Sequence, residues 1–181
     1  MCYNTRHMDQ TPSSSVPVTN RTFYAVPVWK FLVLSIVSAG LYPLYWYWYN
    51  WKLIRDQEKK DFWPILRALF SFLYFADLAR IVLNAAKAKQ YPENYNPTVL
   101  AWVYFIGVLA SLSGQWLGSI LAIVGFLMLI PVIRAMEYVN SHTEGGTVQI
   151  KLTSTEIIVT GIGIAFWIFN IYFAMGWVTS L

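Results

Sequence analysis

The stretch "GLYPLYWYWYNWK", Gly40 to Lys52, places seven aromatic residues in the ten positions from Tyr42 to Trp51. Such density admits two readings, a stacking platform for bases or the end of a membrane helix. A base-stacking surface needs a basic groove around exposed rings. Here the rings continue an apolar run that begins at Phe31, and the first cations after it are Lys52 and Arg55. An unpaired strand cannot sit in lipid, so the run is expected to be helical. Gly40 and Pro43 predict a kink, because proline removes the bond to the carbonyl four residues back. Trp and Tyr concentrate at headgroup level, where the ring stays apolar and its N–H or O–H meets water. Tyr45, Trp46, Trp48, Tyr49 and Trp51 are therefore expected to be interfacial anchors at the cytoplasmic end of a first membrane helix.

Composition points the same way. The 181 residues are 57% hydrophobic and only 12% charged, about half the usual charge content. A water-soluble domain of that composition would expose large apolar patches. The single cysteine, Cys2, excludes an internal disulfide. Residues 1–26 lack the apolar central run of a signal peptide and are rich in Ser, Thr and Pro, so a disordered polar tail is expected there. Residues 27–181 are expected to form one helical membrane domain.

Three charge-free tracts organise that domain: Phe31–Trp51, Asn94–Ile133 and Ile157–Leu181. A hydrocarbon core of about 30 Å takes roughly 20 helical residues. The first and last tracts hold one span each, and the "SLSGQ" turn at 111–115 divides the middle one. The expected spans are 30–50, 97–112, 116–133 and 157–178. Pro97 suits a first helical turn, and Thr153 with Glu156 forms a capping box ahead of the last span.

The segment 62–89 is helical by composition but carries Arg67, Asp77 and Arg80. Three central charges would cost roughly 7 to 10 kcal/mol, against about 3 to 7 returned by its large apolar residues. If this helix stays at the interface or re-enters, the chain has four spans, and ten Lys and Arg face three across the membrane. If it spans, there are five spans and the split falls to about eight against five. Basic residues collect on the cytoplasmic side, which favours an all-α polytopic protein with four transmembrane helices plus one interfacial or re-entrant helix; the alternative is five transmembrane helices. Both arrangements place the C-terminus outside the cytoplasm.

The blocks "KFLVLSIVSAGLYPLYWYWYNWKLI" and "PILRALFSFLYFADL" resemble a group of small multi-pass bacterial inner-membrane proteins. That group is marked by K-F-x-V-L-S…G-L-Y-x-x-Y-W-x-Y-x-N-W-K followed by P-x-x-R-A-L-F. The resemblance is concentrated in Lys30–Leu83 and implies a multi-pass location in the bacterial inner membrane. It carries no activity and no catalytic residues.

Candidate chemistry is sparse. His7 and His142 lack metal-ligand spacing to a partner, and "HTE" at 142–144 lacks the P-C-x-x-C of a zinc deaminase. "GIGIAF" at 161–166 is better explained by small residues at helix contacts, with Gly161 and Ala165, like Gly118 and Ala122, four apart. Glu137 and Asn140 are expected on a cytoplasmic surface. Asn170, inside the last span, is expected to bond a neighbouring helix. Charges at membrane depth mark candidate sites, so Lys52, Arg55, Arg67, Asp77 and Arg80 are candidate contacts for anionic lipid headgroups or a protein partner. No catalytic, cofactor or metal site is expected, and no nucleic acid. The expectation is a non-catalytic accessory or scaffold protein that contacts the bilayer and a membrane partner or a second copy. The alternative is a small transporter or channel component with a polar path through Asp77, Arg80 and Asn170.

Overall fold

The computed structural model describes residues 20–113 and 116–178, and these residues are helical, with no named strand among them. The helices are α1 (Val28–Val37), α2 (Leu41–Glu58), α3 (Pro64–Leu69), α4 (Ser71–Lys87), α5 (Pro97–Ser111), α6 (Trp116–Leu127), α7 (Ile130–Ser141) and α8 (Ser154–Val178). The expected all-helical fold is therefore observed. Two helical stretches, Trp116–Ser141 and Ser154–Phe173, are long and apolar enough to cross a membrane.

The first expected span, 30–50, is not one kinked helix. Ala39 and Gly40 both take left-handed backbone conformations (φ 52° and 85°), ending α1 outright and starting α2. Glycine adopts that geometry at no steric cost, and the Gly40 N–H donates to the Ser35 carbonyl while the Tyr42 N–H donates to Ser38 Oγ. The chain then folds back on itself. Phe31 packs edge-on against Tyr42 and Trp46, the Trp46 indole donates to the Tyr24 carbonyl, and Gln57 donates to Thr22. The partners advance along α2 as the chain is followed back from α1 into the segment before it, so α2 runs antiparallel to α1 and that segment as the second arm of a hairpin.

The aromatic block supplies the core of that hairpin. Tyr42, Trp46, Tyr47, Asn50, Trp51 and Ile54 all face inward, two rows at four-residue spacing (42, 46, 50, 54 and 47, 51) that share one side of the helix. Trp46 and Trp51 are fully buried. They are packing residues of the protein interior, so their expected role as headgroup anchors is corrected. Tyr45, Trp48 and Tyr49 are half-buried on the flank of the same helix.

The expected tail boundary at residue 26 also moves. Phe23, Tyr24, Ala25 and Val26 are buried in the core, and Ala25 bridges Val148 in the loop before α8. Segment 62–89 is two helices, not one, with Phe70 (φ −96°, ψ 37°) at the break. Pro64 and Pro97 occupy the first turns of α3 and α5 as expected, and Asn96 caps α5 by accepting from Thr98 and Val99.

Two glycines set the α5–α6 approach. A Cβ on Gly107 would lie 2.7 Å from the Leu121 carbonyl oxygen, and one on Gly118 would meet the Ala110 carbonyl oxygen. These helices form a second antiparallel hairpin, seated on the first by Phe31 stacking on Phe126 at 5.6 Å. In α8 the glycine in contact is Gly163, against Ser38, whereas Gly161 faces open space. The predicted contact at Gly161 is thus displaced by two residues.

Candidate functional site

The most elaborate polar arrangement lies under the foot of α8. Thr153 and Glu156 form the expected capping box, the Thr153 N–H donating to Glu156 Oε2 (2.8 Å) and the Glu156 N–H to Thr153 Oγ1 (3.3 Å). Glu156 does more than cap. It is wholly buried and paired with the Lys30 ammonium at 2.9 Å, itself only 2% exposed. Lys30 Nζ also donates to the carbonyls of Gln149 and Lys151, while the hydroxyls of Tyr24 and Tyr42 both donate to Glu156 Oε1 at 2.9 Å. Burial, and then the neighbouring Glu156 carboxylate, push the Tyr24 hydroxyl well above the usual phenol range, so it stays a donor. Every donor of the ammonium and both oxygens of the carboxylate are engaged, which is the condition for tolerating a buried ion pair.

Two asparagines clasp the extended segment beside this knot. Asn50 Oδ1 accepts from the Tyr24 N–H; Asn140 Oδ1 accepts from the Phe23 N–H, and Asn140 Nδ2 donates to the carbonyls of Phe23 and Thr147. Asn140 is 2% exposed, so its expected place on a cytoplasmic surface is corrected; Glu137 is half-buried. A cleft of about 380 Å³ opens next to the clasp, lined by Tyr24, Tyr45, Tyr49, Asn140, Thr147 and Thr153 among others.

The charged candidates lie elsewhere and apart. Arg55 pairs with the adjacent Asp56 and Arg80 with Asp77, all four on solvent-facing sides. Lys52 Nζ lies over the Trp48 ring at 5.6 Å. Arg67 differs from all of these. Its guanidinium rests on Phe62 (3.9 Å), Trp51 (4.5 Å) and Tyr74 (5.1 Å), and no carboxylate among the described residues lies within ion-pair distance of it. It lines an open groove with Phe62, Trp63, Leu66 and Tyr74. Stacking satisfies the faces of a guanidinium and leaves its N–H edge directed outward.

Asn170 is exposed and donates to the Phe166 carbonyl of its own helix. Among the described residues the expected bond to a neighbouring helix is not formed, and Asn170 is not brought together with Asp77 and Arg80: α8 packs on α1 and α2, whereas α4 packs mainly on α5 and α7. His142 is exposed and stacks on Tyr138. His7 and Cys2 lie outside the described residues.

Sequence reasoning missed Lys30, Tyr24, Tyr42, Asn50 and Asn140 as members of one polar network. The capping box was its only local signal. Comparison of the chain with family models, curated proteins and solved structures gives no match.

Proposed function

We propose that this chain is an integral membrane protein with an accessory or scaffold role and no catalysis of its own, located in the bacterial inner membrane as its aromatic and P-x-x-R-A-L-F blocks imply. The observation that carries the reading is the contrast along α8. Its foot is locked by Glu156, while higher up Ile158, Ile162, Phe166, Ile168, Phe169 and Tyr172 project a broad apolar face on the side turned away from α1. A long helix that leaves so broad an apolar face uncovered by its own chain suits lipid or a neighbouring membrane helix. The α5–α6 hairpin presents the same kind of surface through Trp102, Ile106, Leu112 and Trp116.

Arg67 is the contact we assign to an anionic lipid headgroup. It is the one candidate arginine without an acidic partner among the described residues, and its groove has apolar walls for an adjoining acyl chain. Arg55 and Arg80, already paired, contribute less. Purification in mild detergent, followed by mass spectrometry of retained protein and lipid, tests both halves. The expected result is one stoichiometric membrane partner or a second copy, plus anionic lipid that Arg67→Ala loses and Arg80→Ala keeps. Retention unchanged in Arg67→Ala nanodiscs would overturn the lipid assignment.

A further inference from the structure

The hairpins carry an inference about how the bilayer is occupied, which rests on the membrane reading above. Lengths set the problem. At 1.5 Å per residue, α1 rises about 15 Å, α5 about 22 Å and α8 about 37 Å, against a hydrocarbon core of about 30 Å. Contacts set the directions. Lys30 meets Glu156 and Ser38 meets Gly163, so α1 and α8 climb side by side from a common foot. At Ala39 and Gly40 the chain turns, and α2 descends until Gln57 reaches Thr22. From Phe126, level with Phe31, α7 descends to Asn140 beside Phe23. The apex of α5–α6 therefore points up, the same way as α8.

The side chains follow this axis. The upward ends expose Ile36, Leu41, Leu112 and Trp116. Arg55, Lys60, Lys89 and Lys151 belong to the downward end: Lys60 pairs with Glu58, Lys89 donates to the His142 carbonyl, and the Lys151 carbonyl receives Lys30.

We propose that α1–α2 and α5–α6 enter the bilayer and leave by the face they entered, that α8 alone crosses it, since Trp116–Ser141, though as long, carries Arg134, Glu137 and Asn140 in its lower half, and that lipid covers both apices. Every described Lys and Arg, from Arg21 to Lys151, then belongs to one side of the membrane. That asymmetry exceeds the ten-against-three division of a four-span chain and agrees more closely with the cytoplasmic bias of basic residues. It also removes the need to bring Lys30 to the far surface.

Site-directed labelling of the full chain in sealed vesicles tests this. With Cys2→Ser as background, single cysteines replace Asn20, Ile36, Lys60 and Leu112, and one is appended after Leu181. Asn20 and Lys60 are expected to react with an impermeant maleimide from one side, and the appended cysteine from the other. The cysteines at 36 and 112 should stay unlabelled from both sides until detergent is added. Fluorophores attached there in detergent, then reconstituted, should be quenched by brominated lipid. Labelling of positions 20 and 60 from opposite sides, or of 112 from the side of the C-terminus, would overturn the proposal. So would apices shielded from lipid quenching, which would mean protein covers them. Release of the wild-type chain by alkaline carbonate is a separate failure, since it would remove the membrane reading itself.

Discussion

The foot of α8 and its upper half differ more than any other two regions of the molecule. At the foot, one carboxylate holds an ammonium and two phenols out of solvent, and a half-buried backbone N–H besides. Two turns higher, Ile164 to Phe173 are exposed, and among the described residues one interhelical hydrogen bond reaches them, from the Trp167 indole to the Ile36 carbonyl. The first region specifies its geometry from within. The second relies on whatever surrounds it, and mutations should expose that difference in graded steps.

The sharpest break is Glu156→Ala, which strands the Lys30 ammonium in the interior. Removing one partner of a buried pair costs roughly 3 to 5 kcal/mol, so denaturant titration in mild detergent should show a large loss of stability. Lys30→Met combined with Glu156→Leu should recover most of it; no recovery would mean that the carboxylate's other bonds, to Tyr24 and Tyr42, dominate. Asn140→Ala leaves the Phe23 N–H and the Thr147 carbonyl without their partner and should cost about 1 to 3 kcal/mol, with increased hydrogen exchange at residues 22–26. Gly163→Leu tests the boundary between the regions. Its Cβ would fall 2.2 Å from Ser38 Cα, so α8 must shift from α1, at about 1 to 3 kcal/mol for overpacking.

Arg67→Ala should cost about 0.5 to 2 kcal/mol from lost ring contacts, while its larger effect falls on lipid retention. Ile168→Ala should change stability by no more than about 0.5 kcal/mol. A cost comparable to that of Asn140→Ala would show that the upper half of α8 is packed by protein, narrowing its partner to a second copy or another helix.

How much of this was legible in sequence follows from the range of each interaction. The capping box and the first-turn prolines 64 and 97 act within a few residues, and each is found where expected, whereas Gly40, expected to kink one helix, ends it and starts another. The inside-out reading of Trp46 and Trp51 has a physical cause. With aromatics on every side of α2, no periodicity marks the inward stripe, and tryptophan suits a protein interior as well as a headgroup layer. Lys30 with Glu156 and Asn140 with Phe23 are separated by more than a hundred residues, so no spacing rule could join them. Asn140 looks like a surface residue because helical position alone cannot show that an extended segment lies against it. Arg67 stood out as a charge at depth, yet its aromatic cage needs residues from α2, α4 and the α2–α3 loop at once.

The Lys30–Glu156 pair has a consequence during synthesis. The ribosome makes Lys30 126 residues before its partner, an interval of about 6 to 25 s at 5 to 20 residues per second. Throughout that time the first hairpin carries an unneutralised ammonium at its entry. On the membrane arrangement proposed above, α1 and α2 would stay at the polar interface until the last helix emerges and supplies Glu156.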